Sequence, residues 1–232
     1  MSPPRIAGLR SLADNSDPTS LANRLRDRRF GLFRELLATV PPPVRILDVG
    51  GTPQFWSSRA DGLPGSPEIV VLNLRPFEPE GRVVSSIVGD AVDMSEISSG
   101  SFDVVFCNSV IEHVGSLERQ ARMASEIRRV AARYFVQTPN RYFPIEPHFL
   151  FPMYQFLPVR VRVALLRRMS LGWHARTPDR ADAERQVNEI RLMSGRELAS
   201  VFPGARLHRE RFFGVTKSLI AYGGWGPVQP PM

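Results

Sequence analysis

The segment that most restricts the fold is Ile46-Leu47-Asp48-Val49-Gly50-Gly51-Thr52. A β-branched apolar run that stops at two glycines reads as a buried parallel strand entering a tight turn, and Val44 to Val49 is the first strand. Glycines at that point let another group approach the backbone. The carboxyl ends of such strands are where open α/β sheets hold nucleotides. Three more runs, Glu68 to Leu74, Val83 to Val88 and Phe102 to Asn108, also end at polar or glycine residues. Ser116 to Ala132 reads as a crossover helix, with Ser116 as N-cap and apolar positions at Leu117, Ala121, Ala124, Ile127 and Val130. A fifth strand follows at Tyr134 to Gln137.

The flanks complete the pattern. A helix starts at Leu21 with Ser20 as N-cap, carries Leu25, Leu32, Phe33, Leu36, Leu37 and Val40 on one face, and stops at Pro41-Pro42-Pro43. Residues 140–190 interrupt the alternation with Pro144, Pro147, Pro152 and Pro158 among many aromatics, and read as an insertion over the active edge. Ser194-Gly195-Arg196-Glu197 has capping-box spacing, and Ala205 to Phe213 and Val215 to Tyr222 form a terminal hairpin around Gly214. The expected architecture is α/β: a doubly wound, Rossmann-like, mostly parallel seven-stranded sheet with a C-terminal antiparallel hairpin and a lid insertion. One domain covers 1–232, divided into a flexible arm (1–19), a cofactor-binding half (20–139), an acceptor-side lid (140–190) and a C-terminal helix and hairpin (191–222). The tail from Gly223 to Met232 is expected to trail away.

Composition narrows the setting. Cys107 is the single cysteine, so no intrachain disulfide or cysteine-rich zinc site can form. No run approaches the roughly 18 apolar residues of a spanning helix, and a cytoplasmic protein is expected. The formal net charge is +7, and Lys217 is the only lysine, so the basicity is arginine. Such a field attracts phosphates, anionic lipid or acidic partners, and it equally fits a codon bias.

The glycines of the first turn lack G-x-G-x-x-G, because Thr52, Pro53, Gln54 and Phe55 follow Gly51. This disfavours NAD or FAD. No phosphate-loop Gly-Lys-Ser/Thr is present either. Later strand ends offer Asn73-Leu74, Gly89-Asp90-Ala91 and Asn108-Ser109, suited to an adenosine-like ligand without a phosphate chain.

On these residues the chain resembles the class I S-adenosylmethionine-dependent methyltransferases of the small-molecule type, over Val44 to Gln137 and again over Leu192 to Tyr222. The resemblance implies S-adenosylmethionine as cofactor. Its amino-acid end would be held by Asp48, Gly50, Gly51 and Thr52, its ribose by Asn73 with Leu74, its adenine by Asp90 with Ala91, and its methionine part by Asn108 with Ser109. It also implies that Asp48 and Asp90 line one pocket. The later glycines of the first motif are replaced by Thr52 and Gln54, and Asn73 stands where a carboxylate is usual. An amide still bonds a hydroxyl. Asp48 as a turn cap and Asp90 as a solvated strand end are the competing structural readings.

Glu112-His113 resembles the Glu-His pair of ubiquinone-pathway and some sugar O-methyltransferases, where the region can hold Mg²⁺ or another divalent ion. The alternative is that His113 packs by the cofactor and Glu112 caps a turn. In Asn140 to Phe149, His148 is the candidate general base, because methyl transfer to a hydroxyl must also remove its proton. Glu146 would orient it, unless both merely pin the lid.

The leading expectation is an O-methyltransferase acting on a hydroxyl of a small polar acceptor, with a saccharide preferred. The whole pattern is similar to actinobacterial sugar methyltransferases, such as those of mycobacterial methylmannose polysaccharide synthesis. A lipid or quinone-type acceptor is the rival, followed by a non-catalytic cofactor-binding module or an arginine-rich nucleic-acid binder. Nucleic acid is disfavoured, because Asn108-Ser109-Val110-Ile111 lacks Asn/Asp-Pro-Pro-aromatic. Contact of Arg160, Arg162, Arg167 and Arg168 with a membrane surface, and homo-oligomerisation, stay open.

Overall fold

The computed structural model describes residues 21–57 and 59–226, with side chains from Arg26 onward. The expected arm at 1–19, the Ser20 cap and most of the tail lie outside the described residues. Helix α1 (Leu21–Leu37) leads into β1 (Arg45–Val49) and the short α2 (Pro53–Ser57). Then come β2 (Glu68–Asn73), β3 (Val83–Val88), β4 (Phe102–Asn108), a 3₁₀ turn at Ile111–His113, α3 (Leu117–Val130) and β5 (Ala131–Pro139). Seven strands form one sheet in the order β3-β2-β1-β4-β5-β9-β8. The first five are parallel, and β9 (Val215–Gly223) runs antiparallel to both β5 and β8 (Arg206–Phe212). The sheet is therefore the one expected, terminal hairpin included.

Side-chain alternation splits the core. Ile46, Val104, Phe106 and Phe135 face α1 and α2, where they pack with Phe33 and Trp56. Phe33 has its ring 4.8 Å from that of Phe106 and 5.4 Å from that of Phe135. Leu47, Val105, Cys107 and Val136 face Met123 and Ile127 of α3 and Leu198 of α6 (Gly195–Val201). Ser116 caps α3 through Arg119 N–H, and Ser194 with Glu197 closes the capping box of α6.

Two connections differ from strict strand–helix alternation. Between β2 and β3 no helix forms, because Pro76, Pro79 and Gly81 fall within nine residues. Between β3 and β4 a loop plugs the core with Val92, Met94 and Ile97, doing the packing a helix would do.

The insertion is more ordered than a bare lid. It contains a two-stranded pair, β6 (Ile145–Glu146) with β7 (Phe151–Pro152), and two helices, α4 (Val159–Arg168) and α5 (Arg180–Glu189). It encloses its own apolar cluster of Phe149, Tyr154, Val163, Leu166, Leu171, Ala183 and Val187. Arg160, Arg167 and Arg168 are exposed on α4, whereas Arg162 turns inward. Among the described residues, no helix is long and apolar enough to cross a membrane.

Candidate active site

Strand order reverses between β1 and β4, which opens a crevice at their carboxyl ends. The flanking loops are tied into one continuous rim. Gly50 N–H donates to Leu72 C=O at 2.7 Å, Asn73 Nδ2 to Gly51 C=O at 2.9 Å, and Gly89 N–H to Asn73 C=O at 3.0 Å. Gly50 sits at φ +75°, and a Cβ placed there would lie 2.5 Å from a Val110 methyl, so only glycine lets the β1 and β4 loops touch. At Gly51 a Cβ would fall 1.6 Å from Asp48 Oδ2. Both glycines are thus required by the protein's own packing.

Asp48 is 1% exposed and accepts a bond from Trp56 Nε1 at 2.7 Å. Burial pushes its carboxyl up to about 7, opposed by the indole bond. Asp90 stands differently. Its Oδ1 accepts from Val92 N–H at 3.0 Å and its Oδ2 from Arg119 at 3.0 Å, at the edge of a surface cavity shared with Arg122 and Glu126 of α3. Asp48 and Asp90 bond toward opposite sides of the sheet. Asp48 has the parity of Ile46 and is closed under Trp56 on the α1 side, while Asp90 turns toward α3.

Asn73 uses both ends of its amide, since Oδ1 also accepts from Leu74 N–H at 2.8 Å. A carboxylate could not make the donation to Gly51. Thr52 and Ala91 are half-buried at the rim and Leu74 is exposed. Ser109 adopts φ +58° and donates its hydroxyl to Gln137 Oε1 at 2.8 Å.

Asn108 Oδ1 accepts from Arg29 of α1, a residue sequence reasoning missed. Arg29 also donates to Gln137 Oε1 at 2.8 Å and clamps Glu210 of β8 through Nε (2.9 Å) and Nη2 (2.8 Å). Nothing in the arginine-rich run around it marks this one as buried; only the tertiary placement of α1 does.

Beyond β5 the structure brings Glu112, His113 and His148 together, with one ligand atom from each within 4.8 Å of the others. The two imidazoles meet edge to face at 4.8 Å between centroids. His148 Nδ1 lies 2.7 Å from Glu146 Oε1, and Glu146 Oε2 accepts from the amides of His148 (2.8 Å) and Phe149 (2.6 Å). Glu146 is therefore fixed on three sides and holds the ring with Nε2 pointing away. Burial lowers the His148 pKa, but the Glu146 bond and charge, then Glu112, outweigh it and the net shift is upward. His113 is shifted down, first by desolvation and next by His148.

Glu112 is fully buried. Thr138 Oγ1 donates to its Oε2 at 3.0 Å, while Oε1 is buried without a hydrogen-bond partner among the described residues. Desolvation lifts its carboxyl to about 7. An orphaned oxygen beside two imidazoles fits a borderline divalent ion such as Zn²⁺; Mg²⁺ would ask for oxygens and water. Of the ions the sequence left open, Mg²⁺ or another divalent metal, this donor set suits Mg²⁺ less well.

The methyltransferase-domain family matches residues 62–133, from just before β2 to the start of β5, so the altered glycine turn lies outside the match. Two uncharacterized proteins from strains of Mycobacterium tuberculosis are 38% identical over 58 residues, 25% of this chain. That stretch spans only 20% of those relatives' length. Among solved structures, an S-adenosylmethionine-dependent methyltransferase from Aquifex aeolicus aligns over 94% of this chain and 96% of its own, with 12% identity and a TM-score of 0.50. A protein from Rhodobacter sphaeroides described as a zinc-dependent alcohol dehydrogenase aligns over 84% and 88%, with 12% identity and a TM-score of 0.56. At such identity the likeness is one of fold. Residues 62–133 thus match the methyltransferase-domain family, and the sheet, with its reversed strand order and antiparallel β9, has the α/β fold of the methyltransferase from Aquifex aeolicus.

Proposed function

We propose that this chain transfers a methyl group from S-adenosylmethionine to a hydroxyl of a small polar acceptor, with a saccharide as the preferred class. The observation that carries the reading is the Glu146–His148 pair at 2.7 Å, set beyond β5 beside the rim of the crevice. A neutral His148 donates Nδ1–H to Glu146 and keeps a lone pair on Nε2, the arrangement a general base needs. The cofactor would lie along the ends of β1, β2, β3 and β4. Its amino-acid end would rest on the Asp48 to Thr52 turn and on Asn108 with Ser109, its ribose at Asn73 and Leu74, and its adenine at Asp90 and Ala91.

Asp90 would have to exchange Arg119 for the adenine amino group. That ion pair is 44% and 50% exposed, so breaking it costs no more than about 1 kcal/mol. Most of the acceleration would come from holding the sulfonium and the hydroxyl in line, with proton removal adding a smaller factor. Hydride transfer to a dinucleotide is not favoured, whatever the fold neighbours do, because the turn after β1 lacks the glycines that admit a pyrophosphate.

The same cluster supports a second reading, in which Glu112, His113 and His148 hold a divalent ion that orients the acceptor. The buried, partnerless Glu112 Oε1 favours it.

Calorimetry with S-adenosylhomocysteine tests the cofactor, and absence of binding ends the methyltransferase reading. Transfer of labelled methyl by His148→Ala tests the base. Turnover should collapse while cofactor affinity stays, and unchanged turnover removes His148 from that role.

A further inference from the structure

A second cavity, of about 170 Å³, opens between the insertion and the segment that leads into α6. It is smaller than the roughly 300 Å³ of pockets that enclose a whole small molecule, so it suits one functional group of a larger ligand. Its polar lining is Arg141, Glu146, Tyr154, Gln155, Arg162 and Arg191. Three guanidinium groups therefore face one small space.

The acids nearby are already engaged. Both oxygens of Glu146 are taken by His148 and by the two amides. Glu197 is shared between Arg191 and the Ser194 amide, with Arg141 4.0 Å away. Two buried polar atoms of this lining have no hydrogen-bond partner among the described residues. One is Arg162 Nε, a donor on a guanidinium stacked 6.0 Å over the Tyr154 ring. Burial pushes the Arg162 pKa down, the mark of a desolvated and poorly compensated charge. The other is Gln155 Oε1. Its orientation is fixed, because Nε2 donates to the carbonyls of Arg141 (2.9 Å) and Phe143 (2.7 Å), so the orphan can only accept. A buried donor and a buried acceptor left unmade are costly, and one ligand could satisfy both.

We infer that this cavity is the subsite for an anionic group of the methyl acceptor, a carboxylate or a phosphate, carried on a molecule that also presents a hydroxyl to Gln155. The anion accepts from Arg162 Nε and is flanked by Arg141 and Arg191; the hydroxyl donates to Gln155 Oε1. Glu146 forms a wall of the cavity and also holds His148, so the charged group is anchored next to the candidate base. The inference rests on the methyltransferase reading only in calling this ligand the acceptor.

The test is calorimetric titration of the full chain with inorganic phosphate and, separately, with glycolate, each against sodium chloride of equal ionic strength. Saturable binding of phosphate points to a phosphorylated acceptor, and saturable binding of glycolate to a hydroxy acid. In either case Arg162→Gln should weaken binding about tenfold or more, the loss of one charge-assisted bond. Arg141→Gln is the second variant, kept in case Arg162→Gln fails to fold, and it should weaken binding as well. Arg82→Gln, at an exposed arginine just before β3, should change nothing. No saturable binding of either probe overturns the inference, as does wild-type affinity in both cavity variants. S-adenosylhomocysteine titrated into the same samples separates the two readings. Cofactor binding without anion binding overturns only the subsite. Anion binding without cofactor binding leaves an anion site and overturns its role in holding an acceptor.

Discussion

Asp48→Asn isolates what burial does to the acid at the mouth of the crevice. Asp48 is 1% exposed, and its Oδ2 accepts from the Trp56 indole at 2.7 Å. A carboxyl held at about 7 instead of 3.8 favours the protonated over the ionised form by on the order of 4 kcal/mol. The sign follows from a folded pKa above the unfolded one. Stability from this group is complete below the unfolded value and is lost as pH rises through about 7. Roughly 2 to 3 kcal/mol of the loss falls between pH 5 and pH 8. Asparagine keeps an oxygen for Trp56 Nε1–H and removes the titration. Urea unfolding of the two proteins across this range should show the wild type losing stability and the variant losing markedly less. Glu112, also held at about 7 by burial, keeps part of the slope in the variant. Parallel curves for the two proteins would refute the desolvation argument.

Three further outcomes are expected. Glu146→Gln should lower the His148 pKa, since the Glu146 bond and charge act to raise it; the acid limb of the pH–rate profile then moves to lower pH as kcat falls, and an unmoved limb would detach Glu146 from His148. Arg29→Met takes from Glu210, 7% exposed, the guanidinium that clamps it and leaves Lys217 as its cationic neighbour, so it should cost about 2 to 3 kcal/mol in chemical denaturation. The double variant with Glu210→Gln should recover much of that loss. Gly51→Ala drives a methyl to 1.6 Å from Asp48 Oδ2, so it should destabilise strongly alone and less when combined with Asp48→Ala, a non-additivity read from a double-mutant cycle.

What was legible in the sequence was whatever local chemistry decides. The strands ending at Gly50, Asn73 and Asn108 are continuous apolar runs because both faces of a parallel sheet are buried, and the Ser116 and Ser194 caps need only neighbours in the chain. The Glu146–His148 pair was legible for the same reason, being two residues apart. The purpose of the glycines was not legible. Gly50 is set by Val110, sixty residues on, and Gly51 by a carboxylate held in place by Trp56. Arg29 was invisible because its partners Asn108, Gln137 and Glu210 come from three strands. The loops around β3 were not legible either, because Val92, Met94 and Ile97 bury the face a crossover helix would cover without any helical spacing in the sequence.

The arrangement at His148 forces a choice that the sequence left open. Glu146 accepts from Nδ1, so the neutral ring has a single lone pair, on Nε2. That lone pair can take a proton from an acceptor hydroxyl or bind a cation shared with Glu112 and His113, and it cannot do both in one turnover. If it is a base, protonation below the raised His148 pKa stops the reaction and chelators leave it untouched. If it is a ligand, the Glu112 Oε1 orphan gains a partner and chelators abolish activity. Glu146 serves either case without moving, because three hydrogen bonds already fix it. The invariant element of this site is thus the carboxylate that aims the imidazole, and the chemistry is decided by what stands at Nε2.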